Sequence, residues 1–282
     1  MEVFSNQVFS QRLSPSAPPG GLIRIILCLF TGIKSDLAGG CFFVSSKLNL
    51  TIESCIIRDC SSKSVGGALY IDQNSGFSIS NNCFSQCQAL NCQTGYLMLD
   101  SNKYGIFADS SISDCNENLY GEHSILHIYS GISDFSHNNI SRTYLRDYDV
   151  VNLRYGTNSN VDFCSIIRNI ATLVVEHWHM PGRTFMTNIV NNSEPKVNYA
   201  LFLSNTAAKA EKCAIIDNKY QSLIRHTVTI IDCVFYQNSF ATSSQSFATS
   251  LSLSHYKCDE KVSTKPRNNM NMLIVLLCNS LL

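Results

Sequence analysis

An all-β chain wound as a right-handed parallel β-helix, a solenoid of about eight rungs, is the fold class that the sequence predicts. Three observations carry that prediction. β-Branched and aromatic residues are separated by Ser, Asn and Gly punctuation, and helix-forming runs of Ala, Glu and Lys are scarce. A six-residue phrase recurs at intervals of 20 to 28 residues. In every copy of that phrase the third position is apolar.

The copies are CIIRDC (Cys55 to Cys60), NCFSQC (Asn82 to Cys87), SSISDC (Ser110 to Cys115) and NNISRT (Asn138 to Thr143), followed by CSIIRN (Cys164 to Asn169), TNIVNN (Thr187 to Asn192), CAIIDN (Cys213 to Asn218) and CVFYQN (Cys233 to Asn238). Their third positions are Ile57, Phe84, Ile112, Ile140, Ile166, Ile189, Ile215 and Phe235, which makes an interior stack. Their sixth positions are uncharged and small, and the last four are Asn169, Asn192, Asn218 and Asn238. An Asn in that place can form a hydrogen-bonded ladder at a turn and tolerates left-handed backbone. The first positions are Cys, Asn, Ser or Thr throughout.

A further short strand precedes the phrase in several units, as in GGCFFV (Gly39 to Val44), GGALYI (Gly66 to Ile71), TGYLML (Thr94 to Leu99), DVVNL (Asp149 to Leu153) and YALFL (Tyr199 to Leu203). A unit this small cannot bury its apolar face alone, so the units must stack at the ~4.8 Å strand spacing, with variable connections projecting as loops. The right hand follows from the rule for parallel crossovers. A leucine-rich repeat is excluded because its Leu-x-x-Leu-x-Leu pattern does not recur, and a propeller blade needs a longer unit.

The expected organisation is an N-terminal segment at 1–38 suited to capping, the β-helix at 39–240, a Ser-rich polar linker at 241–269 and a short apolar tail at 270–282. That tail, MNMLIVLLCNSLL, has 13 residues, whereas a helix needs ~20 to span a bilayer. It can nonetheless associate with a membrane. The beginning of the chain does not read as a clean signal peptide, because Glu2, Arg12 and Arg24 interrupt it.

Lys plus Arg equals Asp plus Glu at 21 each, so no basic surface supports nucleic-acid binding. The 13 cysteines include no C-x-x-C pair and no His partners at finger spacing. No metal site and no cofactor are expected. The column cysteines are open to two readings, disulfides between rungs or free thiols filling a narrow interior, and the second is favoured on geometry. Asn49, Asn139 and Asn191 head Asn-x-Ser/Thr sequons, which matter only in a secreted chain.

Gly-Gly-Ala-Leu at Gly66 to Leu69, the variant Gly39-Gly40-Cys41, Phe-x-x-Asn at Phe235 to Asn238 and the phrase CFSQCQA (Cys83 to Ala89) resemble the repeats of polymorphic outer-membrane-protein-type surface proteins, most closely the protist versions. The resemblance covers roughly Gly39 to Asn238. It implies a pectin-lyase-like right-handed β-helix with an adhesive role at a cell surface or after secretion, and no chemistry.

β-Helices also carry polysaccharide lyases and hydrolases, which converge carboxylate, Arg or Lys side chains on adjacent rungs of one face. No such convergence is legible in this register, and no catalytic residue is expected. The one local Asp pair, in RDYD (Arg146 to Asp149), falls between rungs where a solvated loop is expected. EHWH (Glu176 to His179) holds the only Trp. If Val175 faces inward, alternation turns His177 and His179 inward and Trp178 outward. Trp178 with His177 and His179 is therefore the candidate for stacking on a sugar ring. The expected function is a non-enzymatic scaffold that binds a surface ligand, protein or glycan. The alternative is a polysaccharide lyase or hydrolase.

Overall fold

In the computed structural model, which describes residues 1–16, 18–115, 124–145, 148–194 and 200–240, the chain is a parallel β-solenoid with no helix among those residues. From Leu22 to Trp178 each coil contributes one strand to each of three faces. The first face contains Phe42–Ser45, Leu69–Asn74, Gly95–Leu99, Leu126–Tyr129, Asp149–Arg154 and Leu173–Trp178. The second contains Glu2–Ser5, Leu22–Ile26, Asn49–Glu53, Gly76–Ser80, Tyr104–Ala108, Ile132–Ser136, Asn158–Asp162 and Gly182–Phe185. The long strand Ala200–Glu211 pairs with Leu173–Trp178 and then with Gly182–Phe185, so these two faces form a single 16-stranded sheet.

The third face is a 10-stranded sheet. It holds the eight recurring phrases and, before them, Val8–Phe9 and Leu29–Thr31. In its register Ile57 pairs with Phe84, then in sequence Ile112, Ile140, Ile166, Ile189, Ile215 and Phe235. All but Phe235 are buried, and Phe30 extends the column one coil towards the N-terminus. Burying one such side chain is worth about 1.5–3 kcal/mol, which is what holds a coil against its neighbour. The N-terminal segment thus adds coils to the same sheets. Its CLFTGI (Cys28 to Ile33) carries the Cys and the apolar third residue of the phrase.

Two corners flank the third face, and each is made by one left-handed residue. Before the first-position column these are Ser54, Asn81, Asp109, His137, Phe163, Met186, Lys212 and Asp232. Before the sixth-position column they are Asp59, Gln86, Asp114, Arg142, Arg168, Asn191, Asp217 and Gln237. The sequence expectation placed the left-handed backbone on the Asn column itself. It lies one residue earlier, because the left-handed residue turns the chain and the next residue then points inward.

The Asn side chains are spent along the solenoid axis. Asn169 Nδ2 donates to Asn192 Oδ1 at 3.0 Å, Asn192 Nδ2 to Asn218 Oδ1 at 3.1 Å and Asn218 Nδ2 to Asn238 Oδ1 at 3.1 Å. Each amide also donates to the carbonyl of an interior residue in the preceding coil: Ile140, Ile166, Ile189 and Ile215 in turn. Ten cysteines, among them Cys55, Cys60, Cys87, Cys115, Cys164, Cys213 and Cys233, are free and buried. Burial pushes the thiols of Cys55 and Cys164 up to about 12. They act as small apolar fillers rather than nucleophiles.

The Gly-Gly pairs have a steric cause. Gly39 and Gly66 are left-handed, and a Cβ on Gly40 or Gly67 would lie 1.8 Å from Gly67 O or 2.1 Å from Gln93 O in the next coil. Where the chain reaches Gln93 and Thr94 the pair is gone, and the Gln93 side chain instead accepts the Ala89 amide at 2.9 Å.

Candidate functional site

The EHWH stretch lies on the first face at the corner where the chain passes to the second. Val175 is fully buried, and His177 follows it inward with 3% of its surface exposed. Ser159 Oγ lies 2.6 Å from His177 Nδ1 and Thr184 Oγ1 lies 3.2 Å from Nε2. Burial lowers this imidazole to about 4, so it is neutral at ordinary pH. It is a hydrogen-bonded core residue and cannot reach an external sugar. Gly182 makes room for it, since a Cβ there would lie 2.2 Å from Nδ1.

His179 departs from the alternation that would turn it inward. It has a left-handed φ of 56°, which ends the strand and swings the ring outward. Its ring stacks on Tyr155 at 4.9 Å, and Tyr155 lies 5.0 Å from Tyr129. Asn205 holds it through a 2.7 Å bond from the His179 amide and through Nδ2 near the ring nitrogens. Trp178 faces outward and is half-buried. It packs against Leu173, Ala200 and Leu203 and stands edge-on to His179 at 5.1 Å and His226 at 6.1 Å. The corner therefore carries an outward strip of rings drawn from successive coils.

A second set of residues adjoins this strip, and sequence reasoning missed it. Asp149 opens its strand and is 2% exposed, not in a solvated loop; Arg146 and Asp147 lie outside the described residues. Asn152 Nδ2 donates to Asp149 Oδ2 at 2.5 Å. Arg154 donates to Glu176 Oε2 through Nε at 2.8 Å and Nη2 at 2.6 Å, and its Nη2 lies 3.9 Å from Asp149 Oδ2. Glu176 is 3% exposed, and its register partner is Asn152, just as that of Trp178 is Arg154. Burial holds the Asp149 carboxyl well above the usual carboxylate range. The nearby Glu176 carboxyl adds to that rise, against Arg154 and Asn152. Both carboxyls face the one guanidinium. The convergence that sequence analysis did not find is present after all, in two adjacent coils.

The outward column that leads to this set is aromatic. Arg12 lies over Phe43 at 4.4 Å, and Phe43, Tyr70, Tyr96 and His127 stack in turn at 5.3 Å each. Asn152 and Glu176 continue the same register column. The signal for the site in the sequence is this column, read as Tyr70, Tyr96, His127, Asn152 and Glu176. The asparagines of the three sequons, Asn49, Asn139 and Asn191, are all exposed. Among the described residues no group of three or more His, Cys, Asp or Glu could hold a metal ion. No helix of the described residues is long and apolar enough to cross a membrane. Comparison of the chain with protein-family models, with curated proteins and with solved structures gives no match.

Proposed function

We propose that this chain is a non-enzymatic binding scaffold of a cell surface or secreted protein, a right-handed, pectin-lyase-like solenoid that presents an adhesive ligand-binding strip. The observation that carries this reading is the outward ring strip of Tyr129, Tyr155 and His179 on consecutive coils, with Trp178 beside His179. Aromatic rings fixed on a rigid sheet offer contact area at little entropic cost, which suits a glycan or a protein surface alike. The ligand is a surface glycan or protein rather than nucleic acid, given the balanced charge. Association with a membrane through 270–282 belongs to the same reading, and that tail lies outside the described residues.

The test is retention of the purified chain on immobilised glycans and on intact cells, together with surface labelling of the protein in its own cells. Tyr155→Ala removes an exposed ring without touching the core. It should lower retention at least fivefold while leaving the circular dichroism spectrum and the melting temperature unchanged. Full retention in that variant would sink the strip as the binding surface.

One observation favours the enzymatic alternative, the meeting of Asp149, Arg154 and Glu176. Its geometry suits that chemistry poorly. Glycosidases hold their carboxyls about 5–5.5 Å or about 6.5–9.5 Å apart and free to reach the scissile bond, whereas Asp149 Oδ2 and Glu176 Oε2 face the same Arg154 Nη2, at 3.9 and 2.6 Å, and are tied up there. Release of reducing or unsaturated sugars from uronic-acid polymers, abolished by Glu176→Gln, would reverse this preference.

A further inference from the structure

We infer that Arg154 and Trp178, backed by Asp149, Asn152 and Glu176, form a subsite for one ring of a neutral sugar, an uncharged polyol. This rests on the binding reading above and names the ligand class for it.

The argument begins with what each group has left to offer. Arg154 uses Nε and Nη2 on Glu176, which fixes the plane of the guanidinium, and it remains partly exposed at 25% of its side chain. A guanidinium clamped on one edge presents its other edge in a defined direction, ready to donate to hydroxyls. Trp178 is the register partner of Arg154, so the two side chains leave neighbouring strands about 4.8 Å apart along the solenoid axis. That spacing suits a sugar ring whose C–H face lies on the indole and whose hydroxyls meet the guanidinium. Leu173, Ala200 and Leu203 support the indole from beneath.

The second observation is independent of the charged pair. Asn152 is fully buried, and its Nδ2 is spent on Asp149. Its Oδ1 has no hydrogen-bond partner among the described residues. A buried amide oxygen without a donor is costly, and a ligand hydroxyl supplies the missing donor. Charge pairing decides between ligand classes. Arg154 is already matched by Glu176 at 2.6 Å, with Asp149 3.9 Å away, so a uronate meets no unmatched positive charge here. What the set has is a mixture of donors and acceptors next to an aromatic face, and a neutral polyol is the partner that uses both.

Trp178 is the only tryptophan of the chain, so its emission reads this site directly. The protein is titrated with xylo-, cello- and manno-oligosaccharides and, as the charged counterpart, an oligogalacturonate. A saturable change in emission with at least one neutral oligosaccharide is expected, with a dissociation constant at least tenfold lower than that for the oligogalacturonate. Asn152→Leu and Arg154→Met should each weaken it at least tenfold. Arg154 is partly exposed, so Arg154→Met decides the matter alone if Asn152→Leu fails to fold. Retention on immobilised glycans with silent Trp178 emission, or with affinity unchanged in Arg154→Met, overturns the subsite and leaves the scaffold reading standing. Preference for the oligogalacturonate overturns the neutral ligand class. Absence of binding in both measurements overturns subsite and scaffold together.

Discussion

At the scale of single residues, two buried ionisable groups pull the stability of this protein in opposite directions with pH. His177 is neutral in the fold and lowered to about 4, against an ordinary value of 6.5. Between those values the unfolded chain takes up a proton that the folded chain refuses. The stabilising contribution is complete above pH 6.5 and is lost as pH falls towards 4, a loss of about 3 kcal/mol at 1.36 kcal/mol per unit. Asp149 has the opposite sign. Its folded carboxyl is raised above the ordinary 3.8, so the folded chain keeps a proton that the unfolded chain gives up. Stability is then lost as pH rises through the raised value. Denaturant midpoints measured from pH 4 to 8 should show His177→Asn flattening the acid limb and Asp149→Asn flattening the alkaline limb. A wild-type acid limb that persists unchanged in His177→Asn would mean that the imidazole is not buried as described. The same two residues mark where sequence reading stopped. His177 and His179 are two apart and look equivalent on an alternating strand, but a left-handed φ at His179 breaks the alternation. Nothing in EHWH marks that break; it comes from the corner geometry shared with Tyr155 and Ser130, which are also left-handed.

At the scale of elements, the third face and its two corners were legible because each demands the same side-chain type in every coil. The interior column holds only Ile or Phe, and the columns after the left-handed residues hold only Cys, Asn, Ser or Thr. Those constraints repeat strictly, whereas the first face varies. Its outward residues run Tyr70, Tyr96, His127, Asn152, Glu176 and Leu203 in register, with no fixed chemistry and with connections of changing length. Asp149, Arg154 and Glu176 meet only once that register is known. The Asn column allows a quantitative check of the legible part. Removing Asn192 leaves the amide nitrogen and Nδ2 of Asn169 without their acceptor, and strips a donor from Ile166 O. Asn218 stands in the same relation to Asn192 and Ile189. Asn238 satisfies Asn218 and Ile215 but is less buried, so water can replace it more cheaply. Asn192→Ala and Asn218→Ala should each cost roughly 1–3 kcal/mol, and Asn238→Ala clearly less. Denaturant midpoints decide it: equal costs at all three positions would mean that each Asn acts only on its own turn.

At the scale of the whole molecule, a solenoid in which every strand pairs only with the coils before and after it should behave as a one-dimensional chain of interfaces. There is one departure from that simplicity. Ala200–Glu211 and Ser222–Ile231 run unbroken across two faces, so the coils at this end bend over the corner as single strands, while earlier coils break there. Coupling between core substitutions should follow the coil count. Ile166 and Ile189 are register partners in adjacent coils, so a cavity at one lets the other relax into it. Ile57 and Ile189 sit in the same column but five register steps apart, through Phe84, Ile112, Ile140 and Ile166. At the strand spacing that is about 24 Å, beyond the range over which substitutions usually interact. Each Ile→Ala change should cost about 2–5 kcal/mol alone. The double variant Ile57→Ala/Ile189→Ala should lose the sum of its parts to within about 0.5 kcal/mol. Ile166→Ala/Ile189→Ala should deviate from additivity by more than that. Both cycles can be read from urea midpoints with a common slope. Equal coupling in the near and the distant pair would mean that the column melts as one body rather than coil by coil, and that the interfaces between coils are not the units of its stability.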